Sequence, residues 1–404
     1  MKYIVVLGDG MADWKIPDLG NKTCLEAANT VTLNKLAPLS EVGLCKTVPD
    51  GMKPGSDVAN MSVLGFDPHR FYTGRSPLEA VSMGIKLTDT DVTLRCNLVT
   101  LSDEQNYEDK TMIDYSAGEI STEEAAELID YLKSSLDNER FTLYSGISYR
   151  HCLVVKNGVT GHDLTPPHDI SDRKITDHLP KGELGAVYLE MMKKSAKLLA
   201  DHPVNKKRVA EGKRPANSIW LWGEGTKPAL SPFEKAHALK GGIISAVDLV
   251  NGIGMLADMR VIEVEGATGN YDTNFKGKAE AAADALIGGL DFVYIHMEAP
   301  DECGHHGDVA HKIYSIEQID NVVIPTLLKK LESAGEKYAV LVTPDHPTPC
   351  ACKTHVSEPV PYLIYSNAKN LSNGAVRYTE DEAKKTGTYV ADGYKLIERL
   401  LAVK

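Results

Sequence analysis

No stretch of the 404-residue chain approaches the ~20 consecutive apolar residues of a membrane span. The apolar run at 3–7 ends at Asp9, far short of a signal-peptide core followed by a small-residue cleavage site. We therefore expect a cytoplasmic protein with no membrane partner. A Cys-x-x-Cys pair is also missing, and seven cysteines is an odd count, which suits reduced thiols better than a disulfide framework. The only close pair, Cys350-Ala-Cys352, reads as structural. Basic residues are in deficit, 44 Lys+Arg against 56 Asp+Glu, and the net charge of −12 excludes nucleic acid held by bulk electrostatics. There is no Gly-x-x-x-x-Gly-Lys-Ser/Thr loop, no internal repeat and no low-complexity tract. What remains is ordinary globular composition, 43% hydrophobic and 25% charged, in a chain long enough for two or three domains of roughly 150 residues.

Short apolar runs alternate with longer amphipathic ones, the pattern of βα units around a mostly parallel sheet, so the expected class is α/β. Strands are expected at 3–7, 218–222, 242–245, 261–264, 291–297 and 338–343, with helices at 247–258, 278–287 and 312–333 between them. The middle of the chain differs. It holds β-rich runs at 92–101, 141–144 and 152–155 and helices at 123–136 and 184–200, the first opened by Ser121 and Glu124 at capping-box spacing. This predicts a core formed by 1–86 and 215–404, with 87–214 inserted into it as a second, α+β domain.

Ligands of parallel α/β sheets bind beyond the carboxyl ends of the strands, so the residues that follow each strand carry the chemistry. Here the first strand exits into Gly8-Asp9-Gly10, another into the segment with Asp301, His305 and His306, and a third into Pro344-Asp345-His346. Of 13 histidines, six (His296, His305, His306, His311, His346 and His355) fall between 296 and 355. Mixed imidazole and carboxylate clusters suit divalent Mn²⁺ or Zn²⁺. The turn Pro54-Gly55-Ser56-Asp57 then presents Ser56 at the start of an apolar helical run. That serine reads equally as a helix cap and as a nucleophile placed where a helix N-terminus favours phosphate.

Asp9-Gly10, Gly55-Ser56-Asp57, Asp301-x-x-x-His305, Asp345-His346 and His355 together resemble the metal-binding set of the alkaline phosphatase superfamily. The wider text, above all Pro-Gly-Ser-Asp-Val-Ala-Asn and Asp-Glu-Cys-Gly-His, is most similar to the archaeal type of cofactor-independent phosphoglycerate mutases, and the likeness covers essentially the whole chain. The resemblance implies an alkaline-phosphatase-like core with an inserted substrate-binding lid. It implies two divalent metal ions, Mn²⁺ first and Mg²⁺, Co²⁺ or Zn²⁺ as alternatives, and no 2,3-bisphosphoglycerate. One ion would sit on Asp301, His305 and His355, the other on Asp9, Ser56, Asp345 and His346, with Ser56 also accepting the phosphoryl group of a phosphoglycerate substrate. Arg150, His162, Asp163 and Lys278 would grip that substrate.

The stretch Trp220-Leu221-Trp222-Gly223-Glu224-Gly225 departs from the Arg-Gly pair of archaeal members, and relatives with this tryptophan pattern resemble a branch proposed to phosphorylate homoserine. A homoserine-kinase-like phosphotransferase and a metal-dependent phosphatase are therefore the alternatives to a mutase of glycolysis and gluconeogenesis, with a non-catalytic metal-binding module behind them. The acidic surplus is no obstacle to an anionic substrate, because two divalent ions would more than offset the three ligand aspartates.

Overall fold

The computed structural model describes residues 1–404, which divide into two compact units: Met1–Tyr72 with Ala229–Lys404, and Thr73–Pro228.

The first unit is built on an eight-stranded sheet. Its order is Tyr389–Val390, Glu41–Cys45, Val360–Ser366, Tyr338–Thr343, Lys2–Gly8, Phe292–Met297, Gly241–Ile244 and Arg260–Val261. The central strands run parallel, and Ile4, Val5, Val6 and Leu7 are all fully buried, as expected of a strand covered on both faces. Helices Val31–Leu36, Phe275–Ile287 and Ile324–Ser333 supply part of one continuous apolar core against it. The helix expected at 312–333 is interrupted. Val309–Gln318 passes through a π turn, Ile319–Val323, before Ile324–Ser333. In that turn the buried Asp320 accepts hydrogen bonds from the backbone N–H groups of Thr32 and Leu33, capping the helix that begins at Val31.

Three strands of this sheet lie outside the expected set, the short Tyr389–Val390 and two longer ones. Glu41–Cys45 and Val360–Ser366 pair antiparallel to each other, and the second pairs antiparallel to Tyr338–Thr343. Their composition argued against them, since Gly43 and Pro361 are both poor strand residues. The segment expected at 261–264 contributes only Arg260–Val261.

The second unit holds an antiparallel sheet in which Val92–Leu101 pairs with Met112–Asp114, Arg150–Val155 and Ser218–Thr226. Helices Thr122–Leu136 and Gly185–Leu199 pack their buried faces into its core. The strand expected at 218–222 therefore belongs here and not to the first sheet. An apolar run shows that a strand forms but not which sheet it joins, and Trp220 and Trp222 fill this core. The unit boundaries shift with it, from 87 and 214 to 73 and 228. At the other end Ala80, on the helix Ser76–Ser82, packs with Ile85, Leu87, Cys152 and Val154, which ties that helix to this unit. No helix of the chain is long and apolar enough to cross a membrane.

Candidate active site

Gly8 is level with Met297 and Leu7 with Thr343, so three neighbouring parallel strands end side by side and release Asp9, Glu298 and Pro344 at one edge. Gly10 makes the first turn tight, with φ at +60°. A side chain there would put its first carbon 2.7 Å from both the Cα and Oδ1 of Asp301, so only glycine fits. Asp9, Asp301 and Asp345 are 1%, 5% and 0% exposed, three buried carboxylates at one place.

Imidazoles surround them. His346 Nε2 lies 3.3 Å from Asp345 Oδ2, 3.7 Å from Asp9 Oδ1 and 3.3 Å from Ser56 Oγ. His305 and His355 each approach Asp301, at 3.3 and 3.4 Å, and their Nε2 atoms stand 2.8 Å apart. Potential ligand atoms of Asp9, Asp345 and His346 lie within 4.8 Å of one another, as do those of Asp301, His346 and His355. All seven residues singled out as ligands thus come together in the first unit. Ser56 is the first residue of the helix Ser56–Val63, and its hydroxyl faces His346.

The charge state of this cluster is out of balance. Burial, then Asp345 and Asp301, push the Asp9 carboxyl well above the usual carboxylate range. Its Oδ1 is buried with no hydrogen-bond partner. Asp301 goes the other way: although burial opposes it, His305 and His355 hold its carboxyl well below that range. Asp301 in turn raises His305 to about 9, while burial lowers His346. An orphaned carboxylate oxygen and imidazole nitrogens turned toward one another are what divalent cations would satisfy, and the mixed oxygen and nitrogen donors suit borderline metals.

Side chains that sequence reading left without a role hold this set in place. His296 Nε2 meets Asp9 Oδ2 at 2.8 Å, and its Nδ1 meets Ser245 Oγ at 3.1 Å. Burial takes His296 down to about 3, so the neutral ring donates to Asp9 from Nε2 and accepts the Ser245 hydroxyl at Nδ1. The Thr348 hydroxyl donates to Asp301 Oδ1. His296 had counted only toward the density of histidines, and nothing in the pattern marked Ser245 or Thr348.

Nearby, Asp13, Cys24 and Cys350 form another group with metal-ligand chemistry. Here the carboxylate is already paired: Lys312, fully buried, donates to Asp13 Oδ2 at 2.9 Å and to the carbonyls of Ala12 and Thr348. An ammonium stands where an ion would have to go. Cys352 has its Sγ on the carbonyls of Pro349 and Thr354.

The four residues expected to grip substrate are placed less uniformly. Lys278 is fully buried with Nζ donating to the His296 carbonyl at 3.1 Å, and burial lowers it to about 8. It braces the strand end, which its place near a helix start had hidden. In the second unit His162 is engaged at both ring nitrogens, by Glu224 at 2.6 Å and by the N–H of Leu184 at 3.0 Å, and so secures a turn. Asp163 is exposed beside Lys181. Arg150 is exposed and lies over the Tyr149 ring.

That unit also has two arginines that were not singled out. Glu79 takes Arg75 Nε on Oε1 at 2.8 Å and Arg95 Nε on Oε2 at 3.0 Å. Arg95 stacks on Trp222 at 4.2 Å, beside Gly223, where an added first carbon would lie 3.3 Å from Arg95 Cδ. Burial, and with it the charges of Arg75 and Arg150, lowers Arg95 against the pull of Glu79. Two carboxylates, Glu79 and Glu119, act on three guanidiniums, which leaves a local positive surplus. Arg95 lies on the strand next to the Trp220–Gly225 stretch, level with Trp222.

Comparison with known proteins agrees with this chemistry. Residues 37–205 match the family model described as 2,3-bisphosphoglycerate-independent phosphoglycerate mutase. The protein of that name from Methanosarcina barkeri is 47% identical over 405 residues, covering all of both chains. The chain belongs to this family. Membership makes it an enzyme of the isomerase class, an intramolecular phosphotransferase. A relative from Geobacter sulfurreducens, named a probable member, is 48% identical over 99% of this chain and all of its own. Among solved structures, a protein from Pyrococcus horikoshii superposes with a TM-score of 0.83 at 28% identity, over 99% of this chain and 96% of that one. The cofactor-independent phosphoglycerate mutase of Thermoplasma acidophilum gives 0.66 at 27% identity over 99% of both chains.

Proposed function

We propose that the chain interconverts 3-phosphoglycerate and 2-phosphoglycerate, without 2,3-bisphosphoglycerate, through a phosphoserine at Ser56. The observation that carries this reading is the Ser56 hydroxyl at a helix N-terminus, 3.3 Å from His346 Nε2, which itself lies 3.7 Å from the orphaned Asp9 Oδ1. Asp301, His305 and His355 would hold one divalent ion and Asp9, Ser56, Asp345 and His346 another, with Mn²⁺ the first candidate. When bound, such ions acidify the serine hydroxyl and offset the charge of the transferring phosphoryl group.

The remaining work falls to the chain itself. Ser56 Oγ attacks phosphorus, the bond from phosphorus to the 3-oxygen breaks, and the proton lost by Ser56 balances the one the departing 3-oxygen gains. The glycerate 2-oxygen then attacks phosphorus, the bond from phosphorus to Ser56 Oγ breaks, the 2-hydroxyl proton leaves and Ser56 Oγ recovers one, so atoms and charge return to the start. Glycerate must be held between these steps and water kept out, or the enzyme is a phosphatase. We assign that holding role to the second unit as a substrate-binding lid, with Arg75, Arg95 and Arg150 as an anion-binding group for the carboxylate or phosphate.

The test is an enolase-coupled assay with 3-phosphoglycerate and Mn²⁺ and no bisphosphoglycerate, run beside homoserine with ATP and beside Ser56→Ala. Mutase turnover that vanishes in Ser56→Ala is expected. Phosphorylation of homoserine without mutase turnover would replace this reading, and release of inorganic phosphate would make the enzyme a phosphatase.

A further inference from the structure

Asn60 lies one helical turn after Ser56, on the same face of the helix Ser56–Val63, and is fully buried. Its Nδ2 donates to the Ser56 carbonyl at 2.9 Å and to Asp345 Oδ2 at 2.9 Å, and its Oδ1 accepts the Tyr294 hydroxyl at 2.6 Å. The orientation of the amide follows from its partners. A carbonyl and a carboxylate only accept here, so the NH₂ must face them, and the carbonyl oxygen is left for the tyrosine. Both amide hydrogens are used. Tyr294 comes from the central strand Phe292–Met297, so one side chain joins that strand, the helix carrying Ser56 and the loop carrying Asp345.

We propose that Asn60 is the positioning residue that sets the nucleophile's helix in register with Asp345, so that Ser56 and that carboxylate meet a metal ion and the phosphoryl group in one fixed geometry. The inference rests on the proposed role of Ser56. The other bonds to Asp345 show why the amide is needed. Gly10 N–H, at 3.1 Å, and His346 N–H, at 2.8 Å, both go to Oδ1. The Asn60 amide is the hydrogen-bond donor that fixes Oδ2, the oxygen His346 Nε2 approaches at 3.3 Å. Without it the carboxylate is free to swing about the Oδ1 contacts, and the serine helix loses its link to the strand.

The experiment compares the full-length enzyme with Asn60→Ala, Asn60→Asp and Tyr294→Phe. Mn²⁺ affinity is measured by calorimetry on metal-free protein, and kcat and KM are measured separately for 3-phosphoglycerate. Asn60→Asp keeps the shape but puts an acceptor against two acceptors. Tyr294→Phe removes only the hydroxyl that orients the amide, and it keeps the test readable if the Asn60 variants fold poorly. For both Asn60 variants we expect Mn²⁺ affinity and kcat to fall about 10- to 100-fold with KM for 3-phosphoglycerate little changed. Tyr294→Phe should give about a 5-fold loss in the same two quantities. Wild-type Mn²⁺ affinity and kcat in Tyr294→Phe and in either folded Asn60 variant would overturn the proposal. So would losses confined to melting temperature. If the wild-type enzyme shows no mutase turnover, the functional reading fails, while the Mn²⁺ titration still decides the role of Asn60.

Discussion

Asp9 and Asp13 leave the same strand four residues apart, both buried, and they meet opposite surroundings. Asp13 has a complete set of partners, with Lys312 and the Cys350 N–H on Oδ2 and the Trp14 N–H on Oδ1. Asp9 has a hydrogen bond from His296 on one oxygen and none on the other, which His346 Nε2 approaches at 3.7 Å, with Asp345 and Asp301 pressing against it. The first is a closed ion pair that ties the helix Val309–Gln318 to the loop after the first strand. The second is a strained buried carboxyl that a divalent cation would satisfy. Burial of a carboxylate alone distinguishes nothing; the unmatched oxygen is what marks function.

Breaking the closed pair should give the largest effect. Lys312→Met strands a buried carboxylate, and we expect a loss of about 3–5 kcal/mol in chemical denaturation whether or not Mn²⁺ is present. The open cluster should behave in the reverse way. Mn²⁺ at 100 times its dissociation constant should stabilise the wild-type enzyme by about 2.7 kcal/mol in thermal or denaturant unfolding. Asp9→Asn should abolish that gain, and at pH above the usual carboxylate range its metal-free form should be more stable than metal-free wild type, because an amide needs neither a bound proton nor a buried charge at that place.

Sharper still is the pH dependence. The Asp9 carboxyl is raised in the folded state, so the native protein holds a proton that the unfolded chain gives up near 3.8. Stability of the metal-free protein from this group is therefore present at low pH and lost as pH rises above that value. Denaturation of metal-free wild type and Asp9→Asn across pH should show that loss only in the former. The smallest effect belongs to His305, raised from 6.5 to about 9 by Asp301. Its contribution is complete below 6.5 and disappears as pH climbs through about 9. His305→Gln should remove that slope from metal-free melting curves.

Much of this was legible before the structure. The strand at Tyr338–Thr343 and those at Val92–Leu101 and Phe141–Tyr144 sit where apolar runs placed them; Asp9, Asp301 and Asp345 meet because three parallel strands end at one edge, while Ser56 meets His346 from the start of the helix Ser56–Val63. What was hidden depends on partners distant in sequence. Whether Ser218–Thr226 joins one sheet or the other is decided by Val92–Leu101, more than a hundred residues earlier. The resemblance assigned Lys278 and His162 to the substrate, and neither residue's sequence context carries a record of the carbonyl or glutamate it meets in the fold. Arg95 was passed over for a related reason: its stacking on Trp222 and its share of Glu79 exist only across strands and helices.

The central claim is that the open cluster serves a nucleophile at Ser56. Its most direct test is to mix enzyme, Mn²⁺ and phosphoryl-labelled 3-phosphoglycerate, quench within one turnover, and map the label by peptide mass spectrometry. The account predicts a phosphoryl group on Ser56 that passes on to 2-phosphoglycerate and is never formed without metal. Turnover at the wild-type rate with no label on Ser56, or with the label on another residue, would contradict it.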